Sequence, residues 1–338
     1  MRPQTRIAAL AAGVVMSLSV CQAAAQDFYR LATLGPGSTP YLVMSTFAQL
    51  VGERIEGEIQ VNATGAATQH AIETANGQLD FFMWSASVHA SMKQGINMYA
   101  QIPQAPELSE NLRAVFAFPL GLYHMVTFAD SGIEQLSDAE GKRVFLGPPG
   151  GGATVIMGQI MEAVTGLKPD EGYTSVQLGW EAALQSFQDG RIDLYINPSI
   201  PPSPVIEQIA IANEIRLIGL SDADLEKPQV QAILNRPGGV LGEIPADAYG
   251  DNQLNDEPVQ TLGSIVGVGT GAHMDDDAVY EVTKAFWEGV EATREQTRWL
   301  REITLETAFQ DLNLPLHPGA ERYYREIGLE IPEELVAQ

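Results

Sequence analysis

Cysteine is almost absent: the single Cys21 lies near the amino terminus of a 338-residue chain. One molecule therefore has no disulfide framework and no cysteine metal cluster. Positive charge is scarce as well, with 19 Lys and Arg against 43 Asp and Glu and a net charge of -24. Nucleic acid and anionic lipid heads both call for basic surface, so neither is an expected partner. The acidic residues are spread out rather than blocked, as on a solvated surface. Histidines are few and dispersed: His70, His89, His124, His273 and His317 form no His-x-x-x-His or His-Glu-x-x-His pair, and no metal is expected. Long hydrophobic runs are missing beyond Ala25, where none approaches the roughly 20 residues that span a bilayer.

What is present starts with a secretory signal over 1–25. Arg2 and Arg6 make a basic start, 7–20 is apolar, and Ala23-Ala-Ala25 offers a cleavage site before Gln26. Cleavage there would leave a mature periplasmic chain without cysteine. Leu18-Ser-Val-Cys21 only faintly resembles a lipoprotein box, because Val20 is bulky where a small residue belongs. The rest of the chain is long enough for two domains with separate cores.

Strand and helix patterns then alternate. Residues 28–33 read as a strand, a turn over 35–40 leads into a helix over 42–53, and 58–62 is a second strand. Thr64-Gly-Ala-Ala-Thr68 opens a helix through Gln78, 80–84 is a third strand, and Ser85-Ala-Ser87 leads into another helix. Such a series predicts an open parallel sheet whose ligands sit beyond the carboxyl ends of the strands. Residues 114–128 and 260–270 are apolar enough to cross between domains, and 183–189 and 191–196 read as a helix and a strand. Helical patterns cover 277–297 and a segment ending near 309, followed by a Pro-rich stretch over 313–319 and a short terminal helix. No internal sequence repeat is apparent.

The turn Gly147-Pro-Pro-Gly-Gly-Gly-Ala-Thr154 carries the clearest chemistry. It joins a strand over 143–146 to a helix over 155–164, so its glycines let backbone N–H groups approach a ligand at a helix start. Such a start favours an anion. It lacks a Gly-Lys-Ser/Thr ending and Gly-x-Gly-x-x-Gly spacing, which excludes the common nucleotide fingerprints.

Several motifs recur in order: 35–41 in the first loop, Ala63-Thr-Gly65, Gly77-Gln-Leu-Asp80, Asp130-Ser-Gly-Ile133, Gly141-Lys-Arg-Val144 with the glycine turn, and Asp189-Gly-Arg-Ile-Asp193. In this order they resemble the TAXI family, the secreted solute receptors of one class of tripartite ATP-independent periplasmic (TRAP) transporters. The resemblance implies a type II periplasmic binding-protein fold: two α/β domains joined by crossing strands, with a ligand cleft between them. It implies domains of 26–120 with 265–338 and of 121–264, hinge closure on a small organic anion, no cofactor, and delivery by a monomer to a membrane permease. Family members take glutamate and 2-oxoglutarate, and recognise the carboxylate with loop amides and hydroxyls. This chain departs from the family pattern at Trp84-Ser-Ala-Ser87 and at Gly151-Gly-Ala153, where hydroxyls and an amide are replaced.

The expected ligand contacts come from five loops. Ser38, Thr39 and Tyr41 lie in the first, Thr64, Gly65 and Ala66 in the second, and Trp84, Ser85 and Ser87 in the third. Gly150, Gly151, Gly152, Ala153 and Thr154 form the glycine turn, and Trp180, Tyr195, Asn197 and Ser199 complete the set. Trp84, Trp180 and Tyr195 are candidate ligand walls or core residues, since an aromatic face offers area for a ring or a cation. Trp287 and Trp299 read as packing, and Asp275-Asp-Asp277 as an acidic helix cap. Arg30 and Arg113 could each reach a carboxylate or lie on the surface, and His124 beside Tyr123 falls near the first crossing strand. The ligand is expected to be a carboxylate or sulfonate with a body less polar than glutamate; a dicarboxylate such as 2-oxoglutarate is the alternative. A secreted hydrolase is the rival of another class. It would use Ser85 or Ser87, although no Gly-x-Ser-x-Gly elbow surrounds them.

Overall fold

Residues 112–128 and 259–271 are buried almost without interruption, on both faces, and form the two longest strands. The computed structural model describes residues 27–294 and 297–337. The signal segment expected over 1–25 and its expected cleavage site lie outside them. The strands are β1 Asp27–Ala32, β2 Gly57–Asn62, β3 Phe81–Ser85, β4 Leu112–Phe128, β5 Arg143–Phe145, β6 Thr174–Ser175, β7 Leu194–Ser199, β8 Ile215–Ile218, β9 Gly239–Ile244 and β10 Val259–Gly271. The helices are α1 Thr39–Gly52, α2 Ala67–Ala75, α3 Ala86–Gln94, α4 Ala105–Ser109, α5 Gly152–Thr165, α6 Trp180–Gln188, α7 Pro204–Ala212, α8 Asp222–Leu225, α9 Pro228–Leu234, α10 Asp276–Arg294 and α11 Pro318–Glu326.

All ten strands join in one sheet, ordered β2-β1-β3-β10-β4-β7-β5-β6, with β8 on β4 and β9 on β10. The outer strands of each half run parallel, while β4 and β10 run antiparallel to each other through the middle. Each half is thus an α/β unit, and the two share the central antiparallel pair. At the midpoint Gly121 has φ +102°, and a Cβ there would lie 2.0 Å from the Ser199 carbonyl carbon, so only glycine fits. Opposite it, the β4–β10 register shifts between Ser264 and Ile265. Core packing changes at the same place. One apolar cluster runs from Tyr29 to Leu120 and resumes at Ile265, whereas two others draw only on residues between Tyr123 and Leu262.

An internal repeat escaped the sequence reading. Helix α5 starts 113 residues after α1, at Gly152 against Thr39, and ends 113 after it, at Thr165 against Gly52. Helix α6 stands in the same relation to α2, Trp180 against Ala67 and Gln188 against Ala75. The same clamp closes both halves. The Arg30 backbone N–H and guanidinium donate to Asp80 and to the Gly77 carbonyl, as Arg143 does to Asp193 and the Gly190 carbonyl. Few side chains repeat, but backbone-determining ones do, including the positive-φ glycines Gly37 and Gly150.

Other expectations shift. The helix expected through Gln78 stops at Ala75, because Asn76-Gly77 turns with Gly77 at φ +72°. The strand expected over 191–196 is displaced to Leu194–Ser199, since Asp193 is held by Arg143 and β4 pairs as far as Ser199. The helical pattern towards 309 gives only a short 3-10 turn, Arg298–Glu302. There the Thr307 hydroxyl accepts the Thr304 N–H at 3.2 Å and diverts the backbone from a helix. Helix α7 through strand β9, over 204–244, had no assignment from sequence. Among the described residues no helix is long and apolar enough to cross a membrane.

Candidate ligand-binding site

A cavity of about 240 Å³ opens where the two halves meet. Five helices begin at its wall, and their capping residues Ser38, Ala66, Ser85, Gly151 and Gly179 all line it. Helix α1 satisfies itself: Ser38 Oγ accepts the Tyr41 N–H at 3.3 Å, and Pro40 has no N–H to offer. Helices α2, α3, α5 and α6 have no side-chain cap, so their first-turn amides receive no side-chain acceptor, although the Gln69 N–H of α2 donates to the Ala66 carbonyl at 2.9 Å. Four positive dipole ends therefore converge on one space.

The lining includes no Asp, Glu, Lys, Arg or His among the described residues, and Leu34, Met83, Leu120, Ile156 and Val266 make most of it apolar. An anionic group can be held there by amides and dipoles while an apolar body fills the remainder. Two bonds cross between the halves beside the cavity. Asn197 Nδ2 donates to the Gly37 carbonyl at 3.0 Å, and Thr68 Oγ1 to the Gly150 carbonyl at 3.4 Å.

Of the residues expected to contact ligand, Ser38, Thr64, Gly65, Ala66, Ser85 and Ser87 line the cavity, as do Gly151, Gly152, Ala153 and Trp180. The others are placed elsewhere. Trp84 is 1% exposed inside the first-half core, because β3 alternates and turns Met83 and Ser85 to the cavity instead. Tyr195 stacks on Phe145 and Phe187 at 5.5 Å and receives Asn197 Nδ2 at 3.0 Å on its hydroxyl. Thr39, Asn197 and Ser199 border a separate void of about 10 Å³. Thr154 Oγ1 turns back to the Pro148 carbonyl at 2.7 Å, and neither Tyr41 nor Gly150 forms part of the wall. Arg30 is held by Asp80, and Arg113 donates to the Glu110 and Leu112 carbonyls, so neither reaches the cavity. Asp275 Oδ1 does cap α10, accepting the Asp277 and Ala278 N–H groups.

Sequence reasoning missed Tyr123, Pro148, Gly179 and Ser264 as wall residues. Strand alternation could have found the first, since Tyr123 faces the cavity and His124 faces away. His124 is fully buried, with Nδ1 2.9 Å from the Leu122 carbonyl and Nε2 2.6 Å from the Tyr249 hydroxyl. A carbonyl can only accept, so Nδ1 carries the proton and Tyr249 donates to Nε2. Burial lowers its pKa from 6.5 to about 4, keeping it neutral. The unfolded chain then binds a proton that the folded chain refuses, so stability is full above pH 6.5 and falls as pH drops to about 4. The expected loss is about 3 kcal/mol, at 1.36 kcal/mol per pH unit. Urea melts should show this component in the wild type and not in His124→Gln; equal pH slopes would refute it.

The chain belongs to the NMT1-like family, matched over residues 31–328. A solved structure from Bordetella bronchiseptica is similar with a TM-score of 0.50 and 12% identity, covering 91% of this chain and 85% of that one. The periplasmic aliphatic sulphonate binding protein from Escherichia coli is 15% identical over 88% of this chain and 78% of its own, with a TM-score of 0.45. A TRAP periplasmic solute binding protein from Chromohalobacter salexigens with bound D-glucuronate is 15% identical over 89% of this chain and 87% of its own, with a TM-score of 0.43.

Proposed function

We propose that this chain is a periplasmic receptor that captures a small organic anion, a carboxylate or sulfonate, in the cleft and delivers it to a TRAP permease as a TAXI-type receptor. The observation that carries the reading is the convergence of four uncapped helix starts on a cavity whose lining holds no charged side chain. The same cavity favours a ligand with an apolar body. A second carboxylate would meet Leu34, Met83, Leu120 or Val266 without a partner, and a cationic centre would find no acid. The hydrolase reading loses support, because Ser85 and Ser87 have only each other, at 3.2 Å, and no His, Asp or Glu joins them on the wall.

In this proposal 26–120 with 265–338 forms one domain and 121–264 the other, hinged at Gly121 and at the register shift after Ser264. Ligand then favours the closed form in which Asn197 and Thr68 reach across. A thermal-shift screen over keto acids, amino acids, aromatic acids and sulfonates tests the reading. A true ligand at a hundredfold excess over its Kd should add about 2.7 kcal/mol of stability. Stabilisation by uncharged sugars or free metal alone would refute it.

A further inference from the structure

The smaller void between the halves has chemistry of its own. It lies where the start of α1 meets the turn from β7 into α7, with Gly37 and Thr39 on one side and Asn197, Ser199 and Ser203 on the other. At about 10 Å³ it has room for a single water molecule. Two polar atoms of this wall are buried with no partner among the described residues, Asn197 Oδ1 and Ser203 Oγ. Asn197 is 0% and Ser203 1% exposed, so bulk water does not reach them. The direction of the Asn197 amide is set by its neighbours. Nδ2 donates to the Gly37 carbonyl and to the Tyr195 hydroxyl, each at 3.0 Å, and a flipped amide would place its oxygen against that carbonyl. Oδ1 is therefore a buried acceptor in need of a donor.

The rest of the wall is rich in donors. Ser38 Oγ takes the Tyr41 N–H and Pro40 has none, so Thr39 carries the one first-turn amide of α1 without an acceptor among the described residues. Helix α7 begins at Ser203 without a side-chain cap. Ser199 Oγ lies 3.3 Å from His124 Nδ1, the nitrogen that holds the proton, so Ser199 accepts there and its own hydrogen turns elsewhere. Two helix starts make the potential positive, which opposes a cation. Asn197 Oδ1 opposes an anion. What suits the void is small, neutral, and able both to donate and to accept.

We propose that this void is a binding site for one water molecule that bridges the halves, donating to Asn197 Oδ1, bonded to Ser203 Oγ, and accepting from the start of α1. Asn197 then holds the first half twice, directly at the Gly37 carbonyl and again through the water. The bridge exists only while α1 and the β7–α7 turn are together. Its part in holding the closed form rests on the receptor reading above, whereas the water site itself does not.

The test is the sign of one substitution and its coupling to a second. Urea melts are run with and without a saturating concentration of benzoate or butanesulfonate, whichever calorimetry shows to bind more tightly. Ser203→Ala removes the hydroxyl and nothing else, because that hydroxyl does not cap α7. If it bonds to water, the unfolding constant should rise by about 2- to 10-fold, the weight of one neutral hydrogen bond. An unpartnered hydroxyl lost from a dry void would instead leave the constant unchanged or lower it. Asn197→Ala should lose stability as well, and the double variant should lose less than the sum, because the two side chains have no bond to each other except through the water. If Asn197→Ala does not fold, Ser203→Ala alone carries the test. An unchanged or strengthened Ser203→Ala, or additive losses, would overturn the inference and leave the receptor in place. So would a midpoint raised by sodium chloride over choline chloride at equal ionic strength, which would mean a cation. A chain that binds neither acid would count against the receptor reading, and the ligand-free melts would still judge the water site.

Discussion

Gly152→Val is expected to abolish ligand binding and leave the fold intact. Gly152 is the first residue of α5 and part of the cavity wall, and its φ is not in the positive region where side chains are strained. A Cβ there would lie 3.5 Å from Val88 Cγ2 of the opposite half, an ordinary contact. The two γ-methyls would go further, filling the space before the α5 amides and wedging the halves apart. Losing two or more of those hydrogen bonds to a charged group removes about 3 kcal/mol or more, so affinity should fall at least about a hundredfold. Far-UV circular dichroism and the melting midpoint should stay close to wild type, since a first-turn position tolerates valine. Wild-type affinity in this variant would mean that the glycine turn holds no ligand.

Trp84→Ala should do the reverse, lowering stability by about 3–5 kcal/mol while barely changing affinity. The indole is among the largest fully buried side chains and belongs to the first-half core rather than to the cavity wall. Gly269 of β10 leaves room for it: a Cβ at that glycine would lie 3.0 Å from Trp84 Cβ and 2.5 Å from the Phe82 ring. Trp84→Phe serves as the control. It keeps much of the volume and removes an indole N–H that has no acceptor, so it should cost far less. A large affinity loss with unchanged stability in Trp84→Ala would return the indole to the ligand.

Backbone-level features were legible because the residues that set them are few and strict. Glycines at turns, apolar runs at the crossing strands and the Gly-x-x-Asp corners at Gly77 and Gly190 placed strands and loops to within a few residues. What failed was the direction of individual side chains. In β3 and β7 a shift of one position decides between cavity and core, and it exchanged Trp84 for Met83, and Asn197 for Pro198. Ser264 was illegible for another reason: it comes to the wall from β10, and no local pattern records that this strand lies against β4. The repeat was hidden because it is kept in element lengths and glycine positions, which matching side chains do not report.

That repeat has a consequence for how a ligand is oriented. The strand order reads the same from either end, β2-β1-β3 facing β7-β5-β6 about the central pair, so the cavity lies at a centre of approximate twofold symmetry. A truly symmetric chamber would accept head or tail at either pole. Here the poles have diverged: Ser38 and Pro40 close one helix start, while their counterparts 113 residues on, Gly151 and Ala153, leave the other open. In the proposed receptor the charged head of a ligand would therefore be directed to the α5 pole and its tail to the α1 pole. Such polarity would arise where the two copies ceased to match.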